Sequence, residues 1–288
     1  MYGSNWYYPC SSQPGVRRVT HSFLLCVLLV TMCGPSAVAQ TAASPQATDE
    51  SAMQTVPLGS IIMSDDLLKF AASTSALARQ DEASRHYFDA ARKYESILAE
   101  ADTSADSPDP TALHMMKAAA NIDAARTRYY YGSTLDKSLS LYEANRAAIS
   151  DHLTVAQSEI ALNLRKSNLK SLNLVGWSCD ASKLRAQSYY LQGMLNNTPG
   201  DLDKSISQYE YVAKCEPASK PQVDSVTAYI AGVRANMAHS PLSSNEIMKD
   251  ISEASHLFGM KGDAVSLVVQ RVYEMYQAQK TPPPIAVH

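Results

Sequence analysis

Apolar residues recur along this chain at intervals of three and four, the spacing that lines one face of an α-helix. Leu135, Leu139 and Tyr142 share one such face, and Leu153, Ala156, Ile160 and Leu164 share another. Further on, Leu184, Ser188, Leu191 and Leu195 form a third, and Leu202, Ile206, Tyr209 and Ala213 a fourth. The alternation of Val, Ile and Thr that marks a strand is missing. From Thr111 to Thr198 there is no proline, the residue that breaks helix interiors. The pattern predicts an all-α fold of about eight or nine helices.

Cap and breaker residues set the expected boundaries. Ser64 followed by Asp65 and Asp66 reads as an N-cap with carboxylates facing the helix dipole. That helical pattern runs to about Glu100, with a break expected near Gln80. Asp109-Pro110 reads as the next N-cap and first helical residue, opening a helix that ends at Gly132. Ser133 then caps a short helix through Tyr142, and a separate helix spans about Asp151 to Leu174. The polar stretch Asn196-Asn197-Thr198-Pro199-Gly200 joins two amphipathic segments, which predicts an antiparallel hairpin. Three more helices follow: one after Pro221, one from the capping box Ser243 to Glu246, and one from Gly262 to about Gln279. Residues 61–280 are therefore expected to form the helical domain, with a flexible linker at 40–60 and a disordered tail at 281–288.

A repeat runs through this domain. Asp136-Lys137-Ser138-Leu139-Ser140-Leu141-Tyr142-Glu143 recurs 67 positions later as Asp203 to Glu210, with six of eight residues identical. Tyr273-Glu274 continues the series, and Gly132, Gly193 and Gly259 echo it. Such recurrence points to helical hairpins stacked as an α-solenoid. The stretch Tyr189 to Pro217 resembles one tetratricopeptide repeat, with Tyr189, Gly193, Ser205, Tyr209 and Pro217 at that motif's spacing. It departs at Gln192, Asn196 and Val212, and the other units match less well. The resemblance implies a superhelix that holds a peptide or protein along its inner groove, and it implies no chemistry.

The N-terminal 39 residues read differently. Ser22 to Gly34 is a short, almost wholly apolar run behind Arg17 and Arg18, and Ala37-Val38-Ala39 has the form of a signal-peptidase site. The run is shorter than the roughly 20 residues that span a bilayer, so it predicts export and not an anchor. Cys33 could instead carry a lipid, but Met32 stands where that cleavage site takes a small residue. Loss of residues 1–39 removes two basic and no acidic side chains, which takes the formal charge from -3 to -5. Such a surface gives no electrostatic footprint for nucleic acid.

Two cysteines then remain, Cys179 and Cys215. They lie at the start of one helix and the end of the next, ends that antiparallel packing sets side by side, and an oxidising compartment favours a bond between them. Tyrosine is the chain's other emphasis, with Tyr129-Tyr130-Tyr131 and Tyr189-Tyr190 as clusters. A triplet points several ways around a helix, so these five are the candidate partner-binding residues, against a packing role. No histidine pair has metal-ligand spacing, and no phosphate-loop, nucleophile-elbow or dinucleotide motif is present, so no cofactor is expected. The sequence predicts an exported, non-enzymatic interaction scaffold of the cell envelope. An enzyme on a helical frame and a self-associating bundle are the alternatives.

Overall fold

In a computed structural model the described residues are 63–104, 110–166, 174–240, 242, 246, 249–251 and 263–280. Among them no strand occurs, and eight α-helices follow one another: α1 Asp65–Ala83, α2 Tyr87–Thr103, α3 Pro110–Ser133, α4 Ser140–Lys166, α5 Leu174–Asn196, α6 Pro199–Cys215, α7 Lys220–His239 and α8 Ala264–Lys280. The fold is all-α. The expected signal peptide, linker, tail, Cys33 and Gly259 lie outside the described residues, as does most of the segment opened by Ser243. Glu246 and residues 249–251 are helical.

Helices adjacent in sequence pack against one another from α1 through α7, and all described residues belong to one unit, Gln54–His288. The chain then returns: α8 lies against α1, α3 and α5. α3 thereby touches α2, α4, α5 and α8. Its composition suits that position, because Ala112, Ala118, Ala119, Ala120, Ala124 and Ala125 are buried and let neighbouring helices approach closely. Around it Leu67, Tyr94, Ile97, Met115, Leu153, Ile160, Leu184 and Met194 form the interior.

Several local expectations are met. Ser64 caps α1 by accepting the Leu67 amide at 3.2 Å. α3 begins at Pro110, and α6 ends at Cys215, before Pro217. Others are corrected. The break expected near Gln80 falls at Ser84-Arg85-His86, where Arg85 takes a left-handed backbone with φ 63°. Arginine does not advertise such a turn as glycine does. In place of a short helix from Ser133 and a separate one from about Asp151 to Leu174, a single helix, α4, covers Ser140–Lys166; Leu135 and Leu139 belong to the turn before it, and Leu174 opens α5. Asp151, where a helix was expected to start, is an exposed mid-helix residue, as is Ser150 before it. α3 ends at Ser133, one residue past Gly132.

The repeated octapeptide also divides. Asp203 to Glu210 lies wholly within α6, with Ser205 and Tyr209 buried, whereas Asp136 to Glu143 begins in a turn and leaves Leu139 and Leu141 about half exposed. Similar letters acquire different surroundings because the second copy has α5 to pack on along its whole length.

Candidate functional site

The C-terminal end of α3, the turn at 134–139, the first turns of α4 and the C-terminal end of α5 converge on a cavity of about 260 Å³. Tyr129, Tyr142, Ile149, Met194, Leu195 and Leu242 supply its apolar walls. Ser133, Asn145, Asn196 and Asn197 add neutral polar groups, and Lys137 and Arg146 add positive charge. Among the described residues the lining contains no carboxylate and no histidine.

The local sequence builds this place. Asn145 uses both ends of its amide on Arg128, donating to the backbone carbonyl at 2.9 Å and accepting from the guanidinium at 3.3 Å. It can approach because position 132 is glycine: a Cβ there would meet Asn145 Nδ2 at 2.8 Å. Asn197 turns the chain from α5 to α6 with φ 52°, a left-handed conformation that asparagine accepts more readily than most residues. Arg146 donates to the Leu195 carbonyl at 3.3 Å, and the Tyr129 hydroxyl reaches the Met194 carbonyl at 3.5 Å. Both therefore meet free carbonyls at the end of α5. Burial pushes the Tyr129 hydroxyl above the ordinary tyrosine range; Tyr142 adds to the shift and Arg146 opposes it.

The structure separates the five candidate tyrosines. Tyr130 and Tyr190 are core residues, so they present no ring to a partner. Tyr131 is half-buried against Phe88, with ring centroids 5.1 Å apart. Tyr189 is half-buried beneath Lys204, whose Nζ lies 5.4 Å from the ring centroid. Only Tyr129 of the five lines the cavity, where Tyr142 joins it. Cys179 and Cys215 come to disulfide distance, with Cα atoms 6.1 Å apart, within the range a disulfide spans.

A second cluster, which the sequence did not reveal, surrounds the N-terminus of α8. Asp263 is the residue before that helix, and its fully buried carboxylate accepts the Ser266 amide at 2.8 Å. It also accepts the hydroxyls of Ser75, at 2.8 Å, and of Tyr94, and it pairs with Arg79 at 3.3 Å. Asp123 of α3 accepts the Val265 amide at 2.9 Å. Arg126 bridges Asp123 to Glu82, which it holds in a two-point contact. Burial, reinforced by the charge of Asp263, raises Asp123 far above the ordinary carboxylate range, against the pull of Arg126 and the α8 amides. Two carboxylates thus cap one helix and satisfy its free amides. Arg271 holds the middle of α8 through Asp180 of α5 at 2.6 Å. Asp123 was detectable only as a lone acid within the alanine-rich stretch 118–125.

A more open cavity of about 510 Å³ lies between α1 and α8, lined by Arg79, Ser266, Tyr273 and Glu274 among others. Neither Asp123 nor Asp263 lines it or the tyrosine cavity. His114 and His152 sit between helices, against Glu159 at 2.5 Å and Asn121 at 2.8 Å. Among the described residues no group of three or more His, Cys, Asp or Glu is arranged to hold a metal ion. No described helix is long and apolar enough to cross a membrane.

Compared with known proteins, the chain matches no family model, no curated protein and no solved structure.

Proposed function

We propose that this chain is an exported, non-enzymatic helical-repeat scaffold of the cell envelope that holds a peptide or protein partner, with the cavity at Tyr129 and Tyr142 as its seat. The carrying observation is the lining of that cavity: two tyrosines and apolar side chains with amides and cations at hand, and among the described residues no carboxylate or histidine. Such a surface offers apolar area and hydrogen bonds for recognition. The converging carboxylates that an enzyme would use, Asp123 and Asp263, are instead engaged with the amides of α8. Export draws support from the signal-like residues 1–39 and from the Cys179–Cys215 pair, which suits an oxidising compartment.

The test is affinity capture from the native envelope with the wild-type chain and Tyr142→Ala in parallel. A protein or peptide retained by the wild type and lost by the variant, with the two equally stable to heat, is the expected result. Equal capture by both would place binding elsewhere, and turnover abolished by substituting Asp123 or Asp263 in a folded variant would favour an enzyme.

A further inference from the structure

We propose that the tyrosine cavity takes the last residue of a peptide, its free C-terminal carboxylate between Lys137 and Arg146 and its apolar side chain against Tyr129, Ile149 and Met194. The proposal rests on the scaffold reading above and adds which part of the partner is recognised.

The first argument is charge. The chain carries a formal charge of -3, yet the described residues of this lining are positive, with two cations and no acid. Among the described residues neither Lys137 nor Arg146, both exposed, has a carboxylate within ion-pair distance, whereas the half-buried Arg79, Arg126, Arg128 and Arg271 are all paired. Two helix C-termini, those of α3 and α5, end here, and each contributes roughly half a negative charge. Two cations against two helix ends leave about one positive charge, which matches a single carboxylate and is too little for a dianion.

The second argument is shape and donor supply. Arg146 spends one N–H on the Leu195 carbonyl at 3.3 Å, and a guanidinium has five to offer. Asn196 and Asn197 add amides at the rim, suited to the backbone of an extended segment. The volume of about 260 Å³ is below the roughly 300 to 1,000 Å³ of most small-molecule sites and suits one amino-acid residue. Capture of a terminal carboxylate is an established mode of peptide recognition, in which the charge fixes the register and a pocket reads the last side chain. A terminal residue carries its carboxylate and its apolar side chain on one α-carbon, which an internal Asp or Glu does not, so a chain end is the occupant that uses both the cations and the apolar wall within one residue's volume.

The experiment uses the full chain made under oxidising conditions. Its probes are labelled heptapeptide pools of mixed sequence ending in Leu, Ile or Phe, each made as the free acid and as the C-terminal amide, followed by fluorescence polarisation. The free acids are expected to bind, and the amides at least tenfold more weakly. Lys137→Gln, which removes no hydrogen bond or ion pair to a described residue, is expected to weaken the acids threefold or more and to narrow the gap between acid and amide. Arg146→Gln should do the same. Acid binding should also fall as salt is raised. Equal binding of acids and amides, or indifference to both substitutions, overturns the proposal. N-acetyl-leucine displacing the peptides at their own affinity would overturn the peptide as occupant in favour of a small acid. If neither pool binds while Tyr142-dependent capture from the envelope persists, this inference fails and the scaffold stands; if that capture is also absent, the scaffold reading fails with it.

Discussion

The hairpins α3–α4 and α5–α6 are cross-linked by different chemistry. Each has a glycine where the partner helix crosses, Gly132 beneath Asn145 and Gly193 beneath Leu202. Between α3 and α4 the contacts are polar and climb one helix while descending the other: His114 with Glu159, Asn121 with His152, Arg128 with Asn145. Glu95 of α2 joins that ladder through Arg128 and His152. Between α5 and α6 lie Leu184, Leu202 and Val212, with the Ser205 hydroxyl donating to the Ala186 carbonyl at 2.7 Å and the cysteine pair at the far end. Directional polar pairs set register in the first hairpin. In the second, apolar packing is the main adhesive and a covalent staple limits how far the helices can separate. The candidate cavity lies where the two meet, so its shape depends on both.

The largest expected effect separates them by redox state. Reducing the Cys179–Cys215 bond, or substituting Cys215→Ser, should cost about 3 to 4 kcal/mol in the chain-entropy picture for a loop of this length. Thermal melts with and without reductant measure it, and hydrogen exchange should rise first in α5 and α6. Faster exchange in α3–α4 at the same reductant concentration would contradict the division.

The glycines sharpen the comparison at intermediate size. A Cβ at position 193 would meet Leu202 Cδ2 at 2.8 Å and the Leu202 backbone nitrogen at 3.3 Å, which cannot readily give way. Gly193→Ala should therefore cost about 1 to 3 kcal/mol through overpacking. At position 132 the obstacle is the end of the Asn145 side chain, so Gly132→Ala should cost about 1 kcal/mol, the worth of the hydrogen bond that Asn145 gives up. Urea midpoints of the two variants rank them, and equal midpoints would remove the distinction.

Acidity gives the smaller effects, of opposite sign in two places. Glu95 is held below the ordinary carboxylate value of 4.5 by hydrogen bonds from His152 and Arg128, which outweigh its burial. Its contribution is present above that value and lost as pH falls below it, so the α2–α3–α4 seam should loosen in acid, and less so in His152→Gln. Asp123 behaves in reverse. Its folded value is raised from 3.8 to about 8, chiefly by burial, so the stability it lends is full below 3.8 and is lost as pH rises through about 8. The protection of the α8 amides, corrected for the intrinsic rise of exchange with pH, should accordingly fall between pH 6 and pH 9. Asp123→Asn, neutral throughout, should flatten that response, and an unchanged response would locate its source elsewhere.

These contrasts also show what the sequence could reveal. The cap at Ser64, the start at Pro110, the α5–α6 hairpin and the approach of Cys179 to Cys215 follow from local rules, because caps, prolines and short polar turns act on the residues beside them. The course of α4 past Ser150 and Asp151 did not follow. Those residues cap a helix only when the backbone bends there, and nothing local decides that. The double cap of α8 was equally hidden, since Asp123 and Val265 are 142 positions apart and are joined by packing alone. The cavity needed the ends of α3 and α5 to meet, which explains why Tyr129 was singled out while Tyr142, Asn145 and Arg146 were not.

The central claim is that partners dock at this cavity, and site-specific photo-crosslinking tests it most directly. A photoreactive phenylalanine analogue replaces Tyr142 in one chain and Tyr273, an exposed tyrosine on α8, in another, and both are irradiated in the native envelope. The account predicts a discrete adduct from position 142 that an excess of unlabelled wild-type chain suppresses, and none from position 273. No adduct at 142, or equal adducts at both positions, would contradict it.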